Sequence, residues 1–161
     1  MRNDGGIDAV DARLLMAMAA QPRATVLALS EFLGISRNTV QARLTKLEQR
    51  GALAAFERRI DPEALGYPLL AFVTTVVTQR ELDDVADALS CVPEVVEVHG
   101  LSGEADLLVR VVARDADDLY RIAGKVLAIP GVERTNTALV MRDMVTYRLA
   151  PLLERIAGEQ Q

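Results

Sequence analysis

The sequence predicts an α+β protein in two parts: an N-terminal (winged) helix-turn-helix unit and a C-terminal ferredoxin-like βαββαβ unit. Two observations predict it. Three helical segments follow one another before residue 51, the second and third joined by a short turn at Gly34, and the rest of the chain repeats itself at an offset of 37 residues. The 161 residues are half hydrophobic, which fits one medium domain or two small ones with real cores and excludes disorder. The expected division is 1–51 for the head, 52–67 for a strand and linker, and 68–161 for the sensing and dimerisation unit.

In the first helix Asp8 is the cap and Asp11 lies in the first turn, where acids suit the helix dipole. Val10, Leu14, Leu15 and Met18 form one apolar stripe that ends before Pro22. A second helix runs from about Val26 to Leu33 and stops at Gly34, the residue type that enters a left-handed turn without strain. The third starts from Ser36 as N-cap and runs to Arg50, before Gly51. Projected at about 100° per residue, Val40, Leu44 and Leu47 share one side of it, leaving Asn38, Gln41, Ala42, Thr45 and Gln49 opposite.

That outer face is polar and nearly uncharged. Arg43, Lys46 and Arg50 flank it, and Ser36 and Arg37 open the helix. Amides and hydroxyls so placed suit base edges in a major groove, and flanking cations suit phosphates. A plain solvated amphipathic helix has the same wheel; the Gly34 turn, the Ser36 cap and the cations together favour double-stranded DNA. Charge agrees with this division. Up to Ile60 the chain holds nine basic and six acidic residues, a balance of +3, and the remainder carries −8 within a net charge of −5.

Ala52 to Ile60 reads as a short strand, and Asp61-Pro62 as a cap followed by proline, one helical turn closed by Gly66. Arg58 and Arg59 read as solvated linker charges, with DNA backbone as the alternative partner.

The repeat then organises the remaining chain. The helix-start signal Thr78-x-x-Glu81 recurs as Asp115-x-x-Asp118, the stripe Leu82, Val85, Leu89, Val92 as Leu119, Ile122, Val126, Ile129, and Pro93 as Pro130. Each helix lies between β-rich runs: Leu69 to Val77 and Val95 to Val98 around the first, Asp106 to Val112 and Val132 to Met141 around the second. Two such units make a four-stranded antiparallel sheet with both helices on one face. The first strand is apolar on both faces, so a second copy packed sheet against sheet is expected to cover the open side, with Pro68 to Gln161 forming the homodimer.

Chemistry points away from an enzyme. His99 and Cys91 are the only histidine and cysteine, which permits no intramolecular disulfide and no Cys/His zinc site, and neither has a triad partner. No P-loop occurs, and Gly100-x-x-Gly103 is too short for a dinucleotide fingerprint. The acids Asp83, Asp84, Asp87 and Asp115, Asp117, Asp118 sit at helix starts, where the dipole favours them without a metal. The expectation is no catalytic residue, no metal and no cofactor, in a soluble cytoplasmic protein with no membrane partner.

Several blocks resemble the leucine-responsive/asparagine regulator (Lrp/AsnC, feast-famine) family. Ile7-Asp8-Ala9-Val10-Asp11-x-x-Leu14-Leu15 is similar to its opening helix, and Leu33-Gly34-Ile35-Ser36-x-x-Thr39-Val40-x-x-Arg43-Leu44-x-x-Leu47-Glu48-x-x-Gly51 to its helix-turn-helix. Asp61-Pro62-x-x-Leu65-Gly66 is similar to its linker, Gly103-Glu104-Ala105-Asp106-Leu107-Leu108 to the Gly-x-x-Asp start of a strand in its sensing domain, and Val132-x-Arg134-Thr135-x-Thr137 through Pro151-Leu152 to its end. The resemblance implies an effector-modulated, sequence-specific DNA-binding transcription regulator, dimeric and in many members octameric. Its small effector, usually an amino acid, lies between dimers near the Gly-x-x-Asp loop. Carried over by position, that implies Gly103, Glu104, Ala105 and Asp106, with Thr135 and Thr137 on the last strand. Ala105 departs from the pattern, in which an aromatic is common.

The loop's chemistry is compatible. Gly103 exposes N–H groups to a carboxylate, and Asp106 offers an acceptor to an ammonium. The alternative is a plain hairpin turn at Gly103 with Asp106 as a strand start. Two rival functions share these features in part: an architectural DNA-binding protein that senses nothing, and a metabolite-binding module without DNA function.

Overall fold

The structure, a computed structural model, describes residues 6–53 and 59–158. Local caps set the helices of the head. α1 (Ala9–Ala20) starts at Asp8, whose carboxylate accepts from the Asp11 N–H while the Asp11 carboxylate accepts from the Asp8 N–H, a reciprocal capping box. α2 (Val26–Leu33) is capped by Thr25 and ends at Gly34, whose φ of +66° is the left-handed turn that favours glycine. α3 (Arg37–Gln49) is capped by Ser36, whose hydroxyl accepts from the Thr39 N–H. Leu14, Leu29, Val40 and Leu47 bury the seam of the three helices, with Leu15, Met18, Leu33, Ile35 and Leu44 packed around them.

Asp61 caps the turn Pro62–Leu65, which closes at Gly66. The strand expected over Ala52 to Ile60, and with it the wing and Arg58, falls largely on residues 54–58, which lie outside the described residues.

β1 (Leu69–Val77), α4 (Leu82–Ser90), β2 (Val95–Gly100), β3 (Leu107–Ala113), α5 (Ala116–Leu127) and β4 (Val132–Leu139) follow in order. The strands form one antiparallel sheet in the order β2-β3-β1-β4, the ferredoxin-like arrangement. Period two explains the burial. Ala71, Val73, Thr75 and Val77 of β1 lie opposite Val111, Val109 and Leu107 of β3 on the buried face, against Val85 and Leu89 of α4 and Ile122 and Val126 of α5. Leu70, Phe72, Thr74 and Val76 point to the other face with Leu108 and Arg110, all half-buried, and with Val112, which is buried; among the described residues the core packing of α4 and α5 is on the opposite face.

The two halves of the repeat begin their helices differently. Asp115 caps α5 by accepting from the Asp118 N–H, but Thr78 makes no side-chain cap; its hydroxyl donates to Glu133, and a single tight turn, Gln79–Glu81, precedes α4. The helix-start signal at Thr78-x-x-Glu81 thus marks a helical turn without a side-chain cap, and a long-range partner on β4 takes the hydroxyl.

α6 (Ala150–Gly158) is an element the sequence reading does not contain. It packs on α1, so the chain forms two compact units: the described residues of Met1–Ala55 with those of Val145–Gln161, and those of Phe56–Met144. The grouping differs from the expected 68–161 division at its C-terminal end.

An ion-pair network pins α5. Arg114 and Arg121 both donate to Asp118, and Arg121 also donates to Glu94 at 2.6 Å. Hydrogen bonds from Arg114 and then Arg121 hold the Asp118 carboxyl far below the ordinary carboxylate range, and Arg121 holds Glu94 below it too. A depressed pKa stabilises the fold above the ordinary carboxylate value, and that contribution fades as pH falls towards the folded-state value. Thermal melts followed from pH 7 to 3 should lose stability below about pH 4. The Asp118→Asn variant should be destabilised at pH 7 and show a flatter acid limb; an unchanged limb would contradict this role.

Candidate DNA-reading helix and effector loop

On α3, Val40 and Leu47 are buried, while Ser36, Arg37, Asn38, Gln41, Ala42, Thr45, Lys46, Gln49 and Arg50 are exposed. The fold thus brings the neutral polar residues onto one solvent face with Arg37, Lys46 and Arg50 around it. Arg43 departs from that pattern. Its Nη1 donates to both carboxylate oxygens of Asp8, at 2.9 and 2.7 Å, and to Asp11 Oδ1 at 2.6 Å. The Asp11 side chain is only 4% exposed and that of Arg43 26%. Sequence reading set Arg43 beside Lys46 as a flanking cation; the structure ties it back to the cap of α1. Burial pushes the Asp8 carboxyl up, but the Arg43 guanidinium and the Asp11 N–H outweigh it and leave it below its ordinary value.

At the other candidate site, Gly103 and Glu104 are exposed and Ala105 and Asp106 half-buried just before β3. Gly103 has φ +140°, a conformation L side chains rarely adopt, so glycine is required to turn the chain here. Asp106 is fastened on every side. Its N–H donates to the Thr75 carbonyl, its carbonyl accepts from the Leu101 N–H, and its carboxylate accepts from the Val77 N–H at 2.9 Å and from Gln79 Nε2 at 2.7 Å. It is a strand-start residue that closes the end of β1, and its carboxylate keeps further lone pairs for another donor.

The register places Thr135 directly opposite Thr75, beside this end of the sheet, and Thr137 opposite Val73, two residues further from the loop. Thr135 is half-buried and Thr137 exposed. Thr75 is a residue sequence reading passed over. Its hydroxyl is fully buried and, among the described residues, has no hydrogen-bond partner. Its signal was a polar side chain in phase with Ala71, Val73 and Val77. Among the described residues no group of three or more His, Cys, Asp or Glu is placed to hold a metal ion, and no helix is long and apolar enough to cross a membrane.

A three-helix head with an exposed polar face on α3, followed in the chain by a ferredoxin-like sheet domain, is the element order of a helix-turn-helix transcriptional regulator. Residues 7–48 match the AsnC-type helix-turn-helix domain, and residues 70–149 the Lrp/AsnC ligand binding domain. The chain is 32% identical over 136 residues to the HTH-type transcriptional regulator FL11 of Pyrococcus horikoshii, covering 84% of this chain and 90% of that one. It is 38% identical over 119 residues to the regulator LrpA of Mycobacterium tuberculosis, covering 71% and 79%. The solved feast or famine regulatory protein from M. tuberculosis complexed with L-methionine superposes with a TM-score of 0.78 at 29% identity, over 89% of this chain and 98% of that one. The chain belongs to the Lrp/AsnC family of transcriptional regulators.

Proposed function

We propose that this regulator binds double-stranded DNA through the exposed face of α3 as a two-fold homodimer, and that an amino-acid effector at the Gly103–Asp106 loop modulates its assembly or DNA affinity. The observation that supports it most is the exposed array Asn38, Gln41 and Thr45, neutral donors and acceptors set among Arg37, Lys46 and Arg50. The effector's carboxylate would take N–H groups around Gly103 and Glu104, and its ammonium the remaining lone pairs of Asp106, with Thr135 beside them. Thr137 belongs to the site only if a second copy extends it along β4. The loop is open on one chain, which suits a site completed by a further copy and an assembly up to the octamer. The relative solved with bound L-methionine gives the effector class its support.

A second reading has one observation in its favour. Asp106 is already satisfied by Val77 and Gln79, as a purely structural loop in an effector-independent architectural protein would require. A melting-temperature panel of the twenty amino acids with the full chain separates the two. At 100 times its Kd an effector stabilises by about 2.7 kcal/mol, a shift of a few degrees. Asp106→Asn replaces the carboxylate that accepts from the Val77 N–H and Gln79 with an amide, so its own baseline melt is recorded first. The ligand-induced increment is therefore compared with each variant's own baseline, and it should shrink as affinity falls by roughly 30-fold or more. No shift with any amino acid would leave the architectural reading standing.

A further inference from the structure

We infer that Arg43 is a positioning residue for DNA reading rather than a phosphate contact: clamped to the α1 cap, it fixes the rotation of α3 about its own axis and so selects which side chains face the bases. The inference rests on the DNA-binding reading of α3. Hydrophobic contact alone sets how deep a helix sits, because burial is non-directional. Val40, Leu44 and Leu47 pack on one stripe, and a polar clamp away from that stripe adds a constraint with a fixed direction. Arg43 supplies the direction. Its guanidinium is held by two carboxylates at 2.6 to 2.9 Å, and both belong to the capping box that starts α1.

That anchor cannot drift independently of the helix it caps. The Asp8 carboxylate accepts the Asp11 N–H at 2.8 Å while it holds Arg43, and Asp11 is almost wholly buried. Gln41 and Ala42 immediately precede Arg43 and Thr45 follows it by two, so a roll of α3 that broke the clamp would carry each of them off its base edge.

Electrostatics makes the inference testable, because the two roles of Arg43 predict opposite signs. A carboxylate close to a polyanion repels it, so neutralising Asp8 should tighten DNA binding if Asp8 does no positioning. If the clamp positions α3, the same change should weaken it. Asp8→Asn is the variant of choice, since asparagine keeps the N-cap oxygen and α1 with it.

The experiment measures binding of full-length wild type, Asp8→Asn, Arg43→Gln and the double variant by fluorescence anisotropy at two salt concentrations. The two probes are a duplex enriched by the wild type from a random-sequence library and a scrambled duplex of the same composition. Melting temperatures are recorded for each variant. The expected result is that each single variant lowers the preference for the enriched duplex by roughly five-fold or more, that the double loses no more than the worse single, and that the salt slope stays at the wild-type value. Tighter binding by Asp8→Asn, or a salt slope lower by about one for Arg43→Gln, would overturn the inference and make Arg43 a phosphate contact. Lower melting temperatures with an unchanged preference would reduce the clamp to a fold contact and overturn it equally. Failure of the wild type to enrich any duplex would instead strike the DNA-binding reading itself.

Discussion

Phe72→Lys should leave the proposed sheet-to-sheet homodimer monomeric at micromolar concentration while each chain stays folded. Phe72 lies on the sheet face opposite the helices of its own unit, directly across from Arg110 and between Leu70 and Thr74 of its own face, so a lysine there meets a like charge. In a sheet-to-sheet dimer the two-fold axis buries the new charge twice. An uncompensated buried charge costs about 2–5 kcal/mol, so two weaken association by roughly a thousand-fold or more. Val73→Asp is the informative contrast. The alternation of β1 turns Val73 into the core against Val109 and the helices, where it is fully buried. A charge there should unfold the domain, since it removes several kcal/mol from a total stability of about 5–15 kcal/mol. From sequence either residue could lie on the open face; the structure puts Val73 in the core and Phe72 on the other face. Sedimentation and far-UV circular dichroism distinguish the outcomes, and a Phe72→Lys variant that still sediments as a dimer would refute the sheet-to-sheet packing.

Asn38→Ala and Gln41→Ala should each cost about 1–3 kcal/mol on an enriched duplex and almost nothing on a scrambled one. Both side chains are exposed on α3, in the part of the helix that a major groove would receive first. Lys46→Ala should behave differently, weakening binding to both duplexes alike and lowering the salt slope by about one, because a point charge on phosphate carries no sequence information. Anisotropy titrations at several salt concentrations provide both readouts. Equal losses for Gln41→Ala on the two duplexes would remove it from base readout.

Features written in neighbouring residues were legible from sequence. Caps at Asp8, Ser36, Asp61 and Asp115 and the turn at Gly34 all depend on chemistry within a few positions, and each occurs as expected. The exceptions share one physical cause, a partner distant in sequence. Thr78 has the pattern of a capping residue, yet Glu133 takes its hydroxyl, and Glu81 lies against Gly131 rather than reaching back. Arg43 looks like a flanking cation on a helical wheel, but Asp8 and Asp11, more than thirty residues away, hold it. Asp106 reads as an open acceptor until β1 is seen to end with a Val77 N–H that needs one. α6 had a signal in Leu149, Leu152, Leu153 and Ile156 at helical spacing, with Leu153 and Ile156 now half-buried.

The most direct test is selection of duplexes from a random-sequence library by the full-length protein. A two-fold dimer carrying one α3 per protomer predicts an enriched motif of two inverted half-sites spaced by about one helical turn, or a multiple of it, and bound roughly a thousand-fold or more tightly than random DNA. The same selection with the Asn38→Ala, Gln41→Ala double variant should yield no such motif. A wild-type pool no different from the starting library, or a variant pool that converges on the same half-sites, would contradict the assignment of α3 as the reading element.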